Sequence, residues 1–150
     1  MEKNNKASAA QTAAERFTSG YRCSEAIMTT YCERVGLSRD QAMKIGCAFG
    51  GGMGSCGEMC GAVTAAVVIL GLKYGRTDKN DGESRAAADS RVRTFLEKFK
   101  EKHKRLRCNE LIGYDRSTPE GHEIAAAAGV FKTLCPGFVK DAALILEELL

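Results

Sequence analysis

A chain of 150 residues fits one domain with a core of its own. Its 44% apolar and 27% charged residues are ordinary for a globular protein, and a net charge of +3 is too small to imply nucleic-acid binding. The N-terminal stretch "MEKNNKASAAQTAAERF" has no signal-peptide apolar core, and the longest apolar run, Ala65 to Leu72, is far short of a bilayer span. These features point to a cytoplasmic protein with no membrane partner.

The periodicity is helical nearly everywhere, with no convincing alternating strand. A first helix is expected from about Lys6 to Ser19, ended by Gly20, with residues 1–8 disordered. A second starts near Cys23 and runs through "SEAIMTTYCERV" to a stop at Gly36. Ser38 and Gln41 form a capping box for a third helix through Ile45, which must break at Gly50-Gly51-Gly52. Ser55 and Glu58 form the next box, ahead of "MCGAVTAAVVILGL". That helix is apolar on all sides, so it should be the buried central one, about residues 57–72.

After the polar linker "TDKNDGES", an amphipathic helix is expected from about Ser84 to Lys104, with Phe95, Leu96 and Phe99 facing inward. The short segment "CNELIG" and the loop "YDRSTPEG" follow, then a helix around Ile124 to Leu134 and a last one entered at Pro136. The predicted architecture is an all-α helical bundle forming one domain over residues 1–150.

Seven cysteines are the chemical signal: Cys23, Cys32, Cys47, Cys56, Cys60, Cys108 and Cys135. Reducing compartments keep structural disulfides rare, so cysteines at this density point to metal ligands or redox-active thiols. Three of them fall in "GCAFGGGMGSCGEMCG", residues 46–61, together with seven glycines. Glycine takes positive φ without strain and lets a backbone or cofactor come close. Gly50, Gly51 and Gly52 are therefore candidate cofactor-binding residues, and a tight reversal there should bring Cys47 towards Cys60. The expected helix start puts Cys56 and Cys60 on one helix face. Cys23 and Cys135 also sit at expected helix starts, where the dipole favours thiolate. Cys32, nine residues after Cys23 at about 100° per residue, points to the opposite side of its helix and reads as a buried hydrophobe.

Cys108 follows "KFKEKHKRLR", which has six lysines and arginines. The run reads as a solvated basic helix end, or as a patch that lowers the Cys108 pKa or docks an acidic redox partner. His103 lies in that run and is expected to be solvated. No partner is evident for His122.

"GCAFGG" at 46–51, "CGAV" at 60–63, "GYRCSEAI" around Cys23 and "CNELIG" at Cys108 resemble the C_GCAxxG_C_C family. The resemblance implies a small redox-active protein, related to an iron–sulfur-associated domain of split-Soret-type cytochromes. Carried over by motif, it implies Cys23, Cys47, Cys60 and Cys108 as site residues, with Cys135 a further family cysteine. Cys56 is extra to the pattern.

Iron–sulfur ligation is the first reading, because Cys₄ sets hold such clusters and glycine-loop N–H groups stabilise anionic sulfur. The spacing is not that of a ferredoxin, so the cluster type is open, and a cluster shared across a homodimer is compatible with it. Metal-free thiol–disulfide chemistry and structural zinc are the alternatives, although no C-x-x-C is present and Cys56-x₃-Cys60 is the one close pair. The expected role is an oxidoreductase or an electron-transfer component working with a redox partner protein. No nucleophile elbow, H-E-x-x-H or Walker loop supports hydrolase or nucleotide chemistry.

Overall fold

A computed structural model describes residues 8–150 and is all-α. Except for Ser8, the residues expected to be disordered lie outside those described. Helices α1 (Ala9–Thr18) and α2 (Cys23–Tyr31) come first, α2 running on into a 3₁₀ turn, Cys32–Val35. Then come α3 (Arg39–Phe49), α4 (Gly61–Tyr74) and α5 (Gly82–His103). The C-terminal part holds α6 (Cys108–Ile112), α7 (Pro119–Ala127), α8 (Val130–Thr133) and α9 (Cys135–Leu149).

Local chemistry accounts for most boundaries. Ser8 Oγ accepts from Gln11 N at 3.1 Å to start α1, and the Ser38–Gln41 capping box forms as expected at α3. Asp81 caps α5 through Ser84 N at 2.9 Å, and Thr118 with Pro119 starts α7. The helix expected around residues 124–134 is broken in two, because Gly129 takes a left-handed conformation between α7 and α8.

Helix α4 is the buried centre, with Ala62, Val63, Ala65, Ala66, Ile69 and Leu70 fully covered. It packs on α2, α5 and α9, while α1 lies along α9 and α3 along α2. Phe95 and Phe99 of α5 close one side. Tyr31 is buried in the core and donates its hydroxyl to Ala143 O at 3.1 Å, tying α2 to α9.

The start of the central helix differs from the expectation. It begins at Gly61, not near 57, and Cys56 is not in a helix at all. Ser55 cannot cap because it sits at φ 64° with its hydroxyl taken by the Arg22 guanidinium. Glu58 pairs instead with Arg107 at 3.0 Å. His103 also departs from its expected solvated state. It is half-buried, bonded to Asp141 Oδ2 at 2.8 Å and packed between Phe99 and Phe138.

Close helix packing at α2 and α3 depends on Gly46, where a Cβ would stand 2.8 Å from Glu25 Cα. Ser24 donates its hydroxyl to Gly46 O at the same crossing. Substituting Gly46→Ala is expected to destabilise the fold by about 1–3 kcal/mol, seen as a Tm several degrees lower in thermal unfolding.

Candidate functional site

Residues 50–60 form a non-helical strap in which Gly50, Gly51, Gly52 and Gly57 make room for particular neighbours. A Cβ on Gly50 would collide with the Arg22 guanidinium, and one on Gly57 with the Asn109 amide. At Gly52 it would lie 2.8 Å from Cys108 Cβ, and at Gly61, just beyond the strap, 2.6 Å from Cys23 Sγ. Gly51 and Gly52 also need φ of 65° and 72°, a region that other L-residues rarely occupy. The strap folds over itself through Ser55 N–Gly50 O, Gly57 N–Gly51 O and Glu58 N–Gly52 O bonds of 2.9–3.0 Å. Arg22 fastens it from outside, donating to Cys47 O at 2.8 Å and to Ser55 Oγ.

The far end of the strap is paired with the segment before α6. Cys60 N donates to Leu106 O at 2.9 Å, Cys108 N to Glu58 O at 2.6 Å and Asn109 N to Gly57 O at 3.1 Å. Met59 and Arg107 form an antiparallel bridge between them, an isolated β contact in an otherwise helical chain. This pairing sets Cys60 and Cys108 beside each other.

Both face a mainly apolar cavity of about 210 Å³, which Cys23 and Cys135 also line. Each of the four cysteines stands at a helix start: Cys60 is the N-cap of α4, and Cys23, Cys108 and Cys135 are the first residues of α2, α6 and α9. Of the predicted glycines, Gly51 lines the cavity, while Gly50 and Gly52 support the strap behind it. Cys47 and Cys56 are exposed and do not line the cavity. Cys32 is buried elsewhere, its thiol 3.5 Å from Thr29 O, as the helical arc from Cys23 implied.

The helix starts do not win the thiol titrations. Burial pushes Cys60, Cys108 and Cys135 upward, Cys135 to about 12, and the neighbouring Cys23 sulfur adds to each rise. The backbone N–H groups of Ala62 and Val63 pull Cys60 down, and Arg116 pulls down Cys108 and Cys135, but by less than burial raises them. At Cys60 and Cys135 the expectation of thiolates fails: desolvation disfavours a charged sulfur more than the helix dipole favours it. Cys60, Cys108 and Cys135 therefore keep their protons at neutral pH.

Arg116 and His122 belong to the same cavity and carried no local signal in the sequence. The Arg116 backbone N–H donates to Asn109 Oδ1 at 3.0 Å, its guanidinium lies 4.7 Å over the Phe131 ring, and Nη2 is 3.4 Å from His122 Nδ1. His122 in turn stacks on Phe131 with centroids 5.2 Å apart, so it has two partners where the sequence suggested none. Among the described residues, no three Cys, His, Asp or Glu side chains converge closely enough to hold one metal ion. A cluster distributes its ligands over several irons and does not need that convergence.

Raised thiol pKa values make the metal-free fold sensitive to alkali. Between the ordinary thiol value, about 8.5, and the folded values, the unfolded chain has lost protons that the native state keeps. Stability is therefore expected to be full below about pH 8.5 and to fall as pH rises through the folded values. Denaturant melts of metal-free protein from pH 7 to 11 check this, and the double variant C60A/C135A should show a shallower decline. Buried Tyr31, whose phenol is also pushed upward, adds to the fall above about pH 10.

No helix among the described residues is long and apolar enough to cross a membrane. No curated protein and no solved structure matches the chain. Residues 21–149 match the family described as "Putative redox-active protein (C_GCAxxG_C_C)". Spanning the strap and all seven cysteines, that match establishes that the chain belongs to the C_GCAxxG_C_C family of redox-active proteins.

Proposed function

We propose that the four-cysteine cavity binds an iron–sulfur cluster and that the protein serves in one-electron transfer or redox sensing. The observation that carries this reading is the convergence of Cys23, Cys60, Cys108 and Cys135, from four separate helix starts, on one apolar cavity. Four thiols are the donor set of [2Fe–2S] and [4Fe–4S] centres. The surroundings suit an anionic occupant, since Arg116 Nε is buried without a hydrogen-bond partner. When bound, the cluster would supply a reversible one-electron couple.

The chain's own residues hold the donors and exclude water. Gly61 lets the Cys23 sulfur rest against the first turn of α4, and Gly52 lets Cys108 come against the strap. Phe131 and Phe138 narrow the cavity on the α8 and α9 side. Protonated thiols must release their protons to bind iron, so loading is favoured as pH rises within the range where the fold is stable. Free cysteines throughout suit a reducing compartment such as the cytoplasm. Exposed Lys100, Lys104 and Arg105, next to the segment that carries Cys108, suit an acidic redox partner.

Thiol–disulfide exchange is the second reading, favoured by the closeness of Cys23 to the start of α4. Burial works against it, because protonated thiols are poor nucleophiles. Structural zinc fits less well, since no tight group of ligands at zinc spacing is present among the described residues.

Anaerobic purification, or reconstitution with ferrous iron and sulfide, followed by iron, sulfide and visible-absorbance measurements, tests the proposal. Wild-type protein is expected to show broad visible absorbance with matched iron and sulfide. Serine at position 23, 60, 108 or 135 should lower bound iron roughly tenfold or more. Serine at 32, 47 or 56 should leave it near the wild-type level. A colourless wild-type protein with reversible disulfides would put the thiol reading first.

A further inference from the structure

Arg116 has a cation's usual needs left unmet. Its Nε is buried and has no partner, and among the described residues no carboxylate pairs with its guanidinium. Leaving a buried donor of a charged group unsatisfied is costly, so such groups are rare unless something else completes them. The side chain is not loose. Phe131 lies beneath it, His122 Nδ1 meets Nη2, and Gly51 is bare on the third side, where a Cβ would stand 2.9 Å from Cζ. Its backbone is fixed by Asn109, whose own N–H holds Gly57 of the strap. The result is a pre-positioned cation on the wall of the cysteine cavity, beside the Cys108 thiol, with its Nε–H unpaired and no carboxylate opposite.

We infer that Arg116 is the counter-charge of the cluster, donating Nε–H to a sulfur in the cavity and raising the centre's reduction potential. The inference rests on the cluster reading above. Reduction adds one electron to a centre that is already anionic, taken in the assay from dithionite, with no bond to the protein made or broken. The reduced state carries one more negative charge than the oxidised state, so a nearby cation stabilises it more. The Nε end of the guanidinium is buried against the cavity, where water screens it less than it screens a surface charge.

The test is a dithionite titration of reconstituted full-length protein, wild type against Arg116→Gln and Arg116→Lys, with circular dichroism on each. Arg116→Gln is expected to lower the reduction equilibrium constant at least tenfold, about 59 mV for one electron. Arg116→Lys keeps the charge without the planar donor and should fall between the two. If a folded Arg116→Gln protein no longer retains the cluster, Arg116→Lys decides in the same way as for a variant that fails to fold. If Arg116→Gln fails to fold, Arg116→Lys decides: a lower potential supports the role, and a wild-type potential overturns it. Loaded variants that all titrate with the wild type overturn the role of Arg116 and leave the cluster reading intact. A wild-type protein that takes up no iron overturns the cluster reading and this inference with it.

Discussion

Backbone hydrogen bonds between residues 57–60 and residues 106–109 hold the site together. They join the strap to a segment nearly fifty residues further along the chain, and they place Cys60 and Cys108 before any side-chain chemistry is considered. The glycines of the strap are the condition for that pairing. Gly57 must be bare for Asn109 to approach, Gly52 for Cys108, and Gly61 for the sulfur of Cys23. A helix begun near residue 56 would have turned the Gly57 and Glu58 carbonyls into its own ladder, away from Asn109 N and Cys108 N.

Two opposed effects meet at the sulfurs. Helix starts attract negative charge, and the fold assembles four of them around the cavity. The same packing strips water from the thiols and keeps the protons on. The outcome works against nucleophilic chemistry at Cys60, Cys108 and Cys135, although the N–H groups of Ala62 and Val63 still reach the Cys60 sulfur. Arg22, the residue just before Cys23, works on the outer side of this arrangement, tying the start of α2 to the end of α3 and to the strap.

Much of the fold was legible because its signals are local. The Ser38–Gln41 box, the stop at Gly36, the apolar α4 and Phe95 with Phe99 all follow from periodicity and capping. The Ser55–Glu58 box misled because the same pattern was claimed by tertiary partners, the guanidiniums of Arg22 and Arg107. Cys23, Cys60, Cys108 and Cys135 could be picked out as chemically important, but their meeting place depends on non-local pairing that no spacing rule encodes. Arg116 and His122 lie in a polar loop and at an exposed helix start, where nothing in the residue pattern distinguishes them from solvated charge. The exposed placement of Cys47 was equally hidden, since the expected reversal of the glycine run does take place but turns that thiol outward.

The four cavity cysteines are contributed by helices spread from α2 to α9, and this has a consequence for the order of assembly. During synthesis the strap can pair with residues 106–109 only once those residues have emerged, and Cys135 arrives later still, on the last helix. Contacts of such long sequence separation form late and slowly compared with local helical ones. The four cysteines therefore stand together only after α9 has docked on α1 and α4. Until then the nascent chain presents its thiols singly and in water, open to chance oxidation. Maturation of the site is in this sense a post-translational event, gated by the closing of the whole bundle.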